Sequence, residues 1–138
     1  MLKKIPKILP PELLKILCEM GHSDEIFIAD GNFPSMTMGQ RVIRMDGHGV
    51  PEILSAVLEL FPLDTYEKPV YLMEKVVGDP VETPIWEVYK KIVSEHTDTP
   101  VENIERFKFY ERAKTAYCVI ATGESALYAN IILKKGVV

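Results

Sequence analysis

His22 and Asp30 are the titratable side chains whose placement first suggests chemistry, because they bracket one short apolar run, Ile26-Phe27-Ile28-Ala29. Gly21 suits the positive φ that ends a helix, and Gly31-Asn32 followed by Pro34 interrupts a strand, so both residues are expected where loops leave a scaffold. Loops held by a rigid scaffold carry most binding and catalytic groups. A histidine titrates near neutrality and can give or take a proton, while an aspartate accepts hydrogen bonds from hydroxyls. Each residue also has a structural reading: His22 against the last carbonyls of a helix, and Asp30 closing a turn.

The rest of the chain narrows the chemistry by exclusion. No serine elbow, phosphate loop or dinucleotide fingerprint is present. His22, His48 and His96 lack the close pairing of a zinc helix motif, so no metal site is expected. What remains is a histidine, an aspartate, an arginine, tyrosines and an asparagine near loop or strand ends. These groups suit proton transfer on a neutral, hydroxyl-rich molecule such as a sugar. A noncatalytic binding module would present the same side chains, and spacing alone does not separate the two.

Composition sets the frame for these groups. The 138 residues suit one domain, 1–138, with a sizeable core. With 47% hydrophobic and 26% charged residues the chain reads as globular, and a net charge of -4 offers no footprint for nucleic acid. The start, Met1-Leu2-Lys3-Lys4-Ile5, is followed by Pro6, Pro10 and Pro11, with Lys15 and Glu19 breaking the apolar run, unlike a signal peptide. No stretch reaches membrane-spanning length, so a cytoplasmic protein without a membrane partner is expected. Cys18 and Cys118 are far apart and lack metal-ligand spacing, and both are read as buried thiols.

The elements that must position the site follow from local signals. Pro10-Pro11-Glu12 opens a first helix with apolar Leu13, Leu14, Leu17, Cys18 and Met20, ending at Gly21. Residues 24–30 form a strand covered on both faces, 32–40 a loop, and Arg41-Val42-Ile43-Arg44 a second strand. Pro51-Glu52 opens a helix with Ile53, Leu54, Val57, Leu58 and Phe61 at helical spacing. A third strand at 69–73 precedes a helix capped by Thr83 with Pro84 at its first position, carrying Ile85, Trp86, Val88, Tyr89, Ile92 and Val93. Residues 102–106 read as extended, 107–114 as a helix, and 117–122 and 128–133 as strands. Alternation of strand and helix predicts an α/β fold, a three-layer α/β/α sandwich whose strand order stays open.

Five blocks of this sequence resemble the RbsD/FucU family of monosaccharide mutarotases: Gly21 to Ile26, Asp30 to Pro34, Val42 to Gly47, Arg106 to Ala113 and Tyr128 to Gly136. The resemblance covers nearly the whole chain and implies the RbsD-like sandwich. The segments 42–47 and 109–113 look like the L-fucose mutarotase branch, and Arg106 stands where the D-ribose pyranase branch typically has a histidine. The resemblance implies cofactor-free interconversion of the α and β anomers of a reducing sugar, L-fucose first, with D-ribose or broader specificity as the alternative. It assigns His22 as proton donor, with Asp30 orienting it or holding a sugar hydroxyl. It places Asp30, Arg106, Tyr128, Ala129 and Asn130 at the sugar. It also implies a homodecamer of two stacked pentameric rings with sites near subunit boundaries. Trp86 and Tyr89, or Phe107 and Phe109, would then meet a neighbouring copy or else fill the monomer's own core.

Overall fold

The computed structural model describes residues 1–138. Its centre is one six-stranded sheet built from β1 (Glu25–Ala29), β2 (Val42–Met45), β3 (Val70–Met73), β4 (Glu102–Ile104), β5 (Cys118–Thr122) and β6 (Ile131–Lys134), in the order β2-β5-β1-β6-β3-β4. β1 runs parallel to β5, β5 to β2, and β3 to β4, whereas β6 is antiparallel to both β1 and β3. Five strands therefore point one way, and their carboxyl ends share one edge of the sheet with the amino end of β6.

Helices cover both faces, as the alternation within the buried strands requires. Ile26 and Ile28 of β1 pack with Ile120, Leu72 and Leu133 against α1 (Pro11–Glu19), α3 (Val50–Leu58) and α4 (Pro84–Ser94). Phe27 and Ala29 face the other way, with Val119 and Ile132, toward α2 (Ser35–Met38) and α5 (Arg106–Thr115). There Phe27 lies 4.6 Å from Phe33 and 5.1 Å from Phe109 between ring centroids. This is the expected three-layer α/β/α sandwich.

Several local expectations change in the folded chain. The loop at 32–40 contains a helical turn, α2, because Pro34 is compatible with a helix start and its carbonyl accepts from Thr37 and Met38. Thr83 precedes α4 without a side-chain cap, while Glu105, read as extended, caps α5 by accepting from the amides of Phe107 and Lys108. Cys118 is buried but Cys18 is exposed, since α1 turns that position away from the sheet. Tyr89 and Phe109 are fully buried within the chain's own core, whereas Phe107 is exposed. Tyr128, Ala129 and Asn130 are not strand but the turn leading into β6, with Tyr128 at φ 55°. No helix is long and apolar enough to cross a membrane.

Candidate functional site

The carboxyl edge of the parallel strands gathers four of the five sequence-predicted contact residues. Asp30 follows β1, Arg106 opens α5 just after β4, and Tyr128 and Asn130 precede β6. They share an open pocket of about 330 Å³ with Asn32, Phe33, Met73, Val76, Asp79, Tyr110 and Leu127. Ligands of open α/β sheets bind at this edge, where loops diverge. The antiparallel β6 supplies its amino end here, which is how residues a hundred apart in sequence come to share a wall.

Asp30 is held rather than free to swing. Its Oδ1 accepts from the amides of Asn32 and Phe33 at 3.0 Å each, and its own amide donates to Asn130 Oδ1 at 2.8 Å. Burial raises its pKa, only partly offset by those amides, and the nearby Glu124 charge pushes the same way. The folded state therefore binds the Asp30 proton more tightly than the unfolded chain does. The associated stability is present below the usual carboxylate range and is lost as pH rises through the raised value. Asp30→Asn keeps an acceptor oxygen for the two amides and removes that titration. Urea unfolding between about pH 4 and pH 7 is expected to show a flatter stability profile for the variant, with its advantage over the parent growing as pH rises.

Tyr128 is fixed at three points. Its hydroxyl donates to Asp79 Oδ2 at 2.6 Å and accepts from the Val76 amide at 3.2 Å, while its carbonyl accepts from Trp86 Nε1 at 2.8 Å. The bond to Asp79 raises the phenol pKa and lowers that of the carboxyl. Ala129 is fully buried, so its contribution is its main chain: its carbonyl accepts from the Tyr89 hydroxyl at 2.7 Å. Burial, reinforced by Glu124 and Asp30, pushes the Tyr89 phenol far above its ordinary range and keeps it a neutral donor. Tyr89→Phe removes that donor from a buried carbonyl and is expected to cost about 1–3 kcal/mol, measured as a lower urea midpoint at unchanged slope. Arg106 forms no ion pair, and its guanidinium lies 4.7 Å from the Phe107 ring centroid, leaving its donors available at the pocket.

His22 is not in this pocket. It precedes β1, while Asp30 follows it, and the five residues of β1 alone extend about 16 Å. Its surroundings are the opposite edge of the sheet: Nε2 lies 3.1 Å from Asp64 Oδ1, the Tyr66 ring centroid is 5.3 Å away, and an open cleft of about 480 Å³ adjoins it. Asp30 therefore does not orient His22 within one chain. Nor does His22 serve the end of α1, because Lys135 Nζ donates to the carbonyls of Leu17 and Met20 there. The imidazole is partly exposed, at 41%, and projects from a turn closed by Gly21, whose amide donates to Asp24 Oδ2 at 2.7 Å, and by Ser23, whose amide donates to the Lys135 carbonyl at 2.9 Å. Asp64 and Asp79 escaped the sequence reading. Each lies in an otherwise ordinary polar turn, and only an aspartate two or three residues before the amides it binds hints at them.

No three His, Cys, Asp or Glu side chains gather into a cluster suited to a metal ion. Residues 3–138 match the sequence model of the RbsD / FucU transport protein family. The chain belongs to this family. It is 52% identical to the fucose mutarotase of Mus musculus, over 98% of this chain and 94% of that protein. The crystal structure of the Streptococcus pneumoniae fucose mutarotase in complex with L-fucose superimposes with a TM-score of 0.94 at 49% identity, covering 99% of each chain. Bacillus subtilis RbsD complexed with D-ribose is more distant, with a TM-score of 0.75 and 26% identity over 94% of this chain and 95% of that one. The family members thus include sugar-bound proteins of both branches, and this chain is much more similar to the fucose branch.

Proposed function

We propose that this chain is an L-fucose mutarotase, an isomerase of one domain spanning 1–138 that interconverts the α and β anomers without a cofactor. The observation that carries the reading is the pocket at the carboxyl edge of the sheet, seen in a chain about half identical, over nearly its full length, to fucose mutarotases. The pocket offers a carboxylate, an uncommitted guanidinium, a phenol and a carboxamide for sugar hydroxyls, beside the apolar Met73, Val76 and Leu127 for the 6-methyl group.

In the proposed reaction a proton reaches the ring oxygen as the anomeric hydroxyl loses its own. The C1–O5 bond breaks, the open-chain aldehyde turns about C1–C2, and O5 attacks the other carbonyl face as the protons return. His22 is the proton-transferring group, and Asp30, Arg106, Tyr128, Asn130 and the Ala129 main chain hold the sugar. Because the β1 strand separates His22 from the pocket, the working site takes His22 from a second copy of the chain. This agrees with the decamer of two pentameric rings that the resemblance implies, acting in the cytoplasm.

NMR saturation transfer between the anomers of L-fucose, with D-ribose alongside, tests the reading on the metal-free protein. Faster L-fucose exchange that scales with protein concentration is expected. Acceleration of D-ribose alone would move the chain to the pyranase branch, and sugar binding without faster exchange would leave a noncatalytic binding protein.

A further inference from the structure

We propose that Asp79 is a positioning residue for the sugar pocket, holding the strap 74–82 on the Tyr128 hydroxyl so that Val76 walls the C6 end of the sugar and favours a methyl over a hydroxymethyl group there; this rests on the mutarotase reading above. The strap leaves β3 at Glu74, whose amide donates to the Ile104 carbonyl at 2.8 Å, and rejoins the body of the fold where α4 begins at Pro84. Two hydrogen bonds tie residues 75–82 to the rest of the molecule, and both end on one oxygen. The Tyr128 hydroxyl donates to Asp79 Oδ2 at 2.6 Å and accepts from the Val76 amide at 3.2 Å. The other bonds of this stretch are internal: the Asp79 amide to the Val76 carbonyl, the Val81 amide to Asp79 Oδ1, and Lys75 Nζ to the Val81 carbonyl, each at 3.0 Å. Apolar burial adds little to the seating, since Val76 is 43% exposed and Val77 fully exposed.

The post that takes these bonds is rigid. The Tyr128 carbonyl accepts from Trp86 Nε1 at 2.8 Å, and its backbone sits at φ 55°, a left-handed conformation that a bulky residue keeps where its surroundings fix it. Next along the chain, the Ala129 carbonyl accepts from the Tyr89 hydroxyl at 2.7 Å, and Asn130 Oδ1 accepts from the Asp30 amide at 2.8 Å. Gly78, at φ 84°, turns the strap back so that Asp79 meets the phenol. The direction of the proton follows from charge. The Tyr128 bond and the Val81 amide outweigh burial and hold the Asp79 carboxyl below its ordinary range, with Lys75 adding to the effect. The carboxylate therefore accepts, and it takes the one phenolic proton that Tyr128 has, at the short length of a charge-assisted bond. Toward a sugar hydroxyl the phenol is left as an acceptor, and the strap is left with one seat. In that seat Val76 lines the pocket beside Met73 and Leu127. An apolar wall accommodates a methyl group and leaves an added hydroxyl without a partner.

The test compares anomer exchange of L-fucose with that of L-galactose, the same sugar bearing a hydroxyl on C6, on the assembled protein. The wild type is expected to prefer L-fucose by up to about 10²-fold in kcat/KM, the limit for an apolar wall facing one extra hydroxyl. Asp79→Ala should narrow that preference about tenfold, with KM for L-fucose raised about tenfold and kcat little changed, because His22 lies at the opposite edge of the sheet. Asp79→Asn, which keeps an oxygen acceptor and the side-chain shape, should fall between the two. In a Tyr128→Phe background Asp79→Ala should change the preference no further, since the bond it removes is already gone. Amide hydrogen exchange supplies a readout besides activity: protection at Val76 should be lost in Asp79→Ala while the amides of β1 stay protected, showing an intact fold. A wild type that exchanges both sugars alike, or an Asp79→Ala preference within about twofold of wild type, overturns the positioning role alone. A wild type that accelerates no anomer exchange overturns the mutarotase reading and this role with it.

Discussion

His22→Ala is expected to slow L-fucose anomer exchange by about 10²–10⁴-fold, the contribution of one well-placed acid or base. The imidazole is partly exposed, and the carbonyls at the end of α1 are served by Lys135, so its removal leaves no helix end unsatisfied. Fold and assembly should persist, with an unfolding midpoint and sedimentation close to those of the parent. The loss should also appear in kcat, because the residues assigned to hold the sugar line the opposite edge of the sheet. Exchange at the parental rate in a folded variant would remove His22 from the chemistry.

Complementation between two inactive variants is the second large effect. If His22 of one copy serves the pocket of another, a mixed assembly of His22→Ala and Asp30→Asn chains contains sites built from one intact histidine and one intact pocket. Random mixing of equal amounts should restore about a quarter of the parental exchange rate, since half the donors and half the acceptors are intact. Sites formed within one chain would restore none, because no chain in the mixture carries both groups. The two pure variants, measured alongside, set the baseline. Recovery after dissociation and reassembly, compared with simple mixing of intact oligomers, tells whether copies must exchange for the site to form.

Both outcomes depend on the direction of one strand. β6 is the single antiparallel strand among parallel neighbours, so its amino end lies at the edge of their carboxyl ends and its carboxyl end at the edge of their amino ends. The turn at Tyr128–Asn130 joins Asp30 at one edge, and Lys134–Gly136 joins His22 and Asp64 at the other. Two clusters of polar groups result from one pairing. Each uses an aspartate to hold a titratable side chain: Asp79 binds the Tyr128 hydroxyl, and Asp64 faces the His22 imidazole.

The sequence by itself determined the layered α/β class and the approximate course of its elements, because those follow from local causes. Proline at a first helical position, as at Pro11 and Pro84, and short apolar runs such as Ile26 to Ala29 act within a few residues. The family blocks likewise named Asp30, Arg106, Tyr128 and Asn130, which the fold brings to one pocket. Tertiary structure alone decided that His22 stands apart from them, since strand order and direction depend on pairing between segments a hundred residues apart, as in Ile28 with Ile131. It alone separated buried Cys118 from exposed Cys18, and made Tyr89 a core donor rather than a surface ring. Asp64 is brought to His22 only through burial and register, when the chain before β3 is pinned to the end of β6 and its carboxylate meets the imidazole that follows α1.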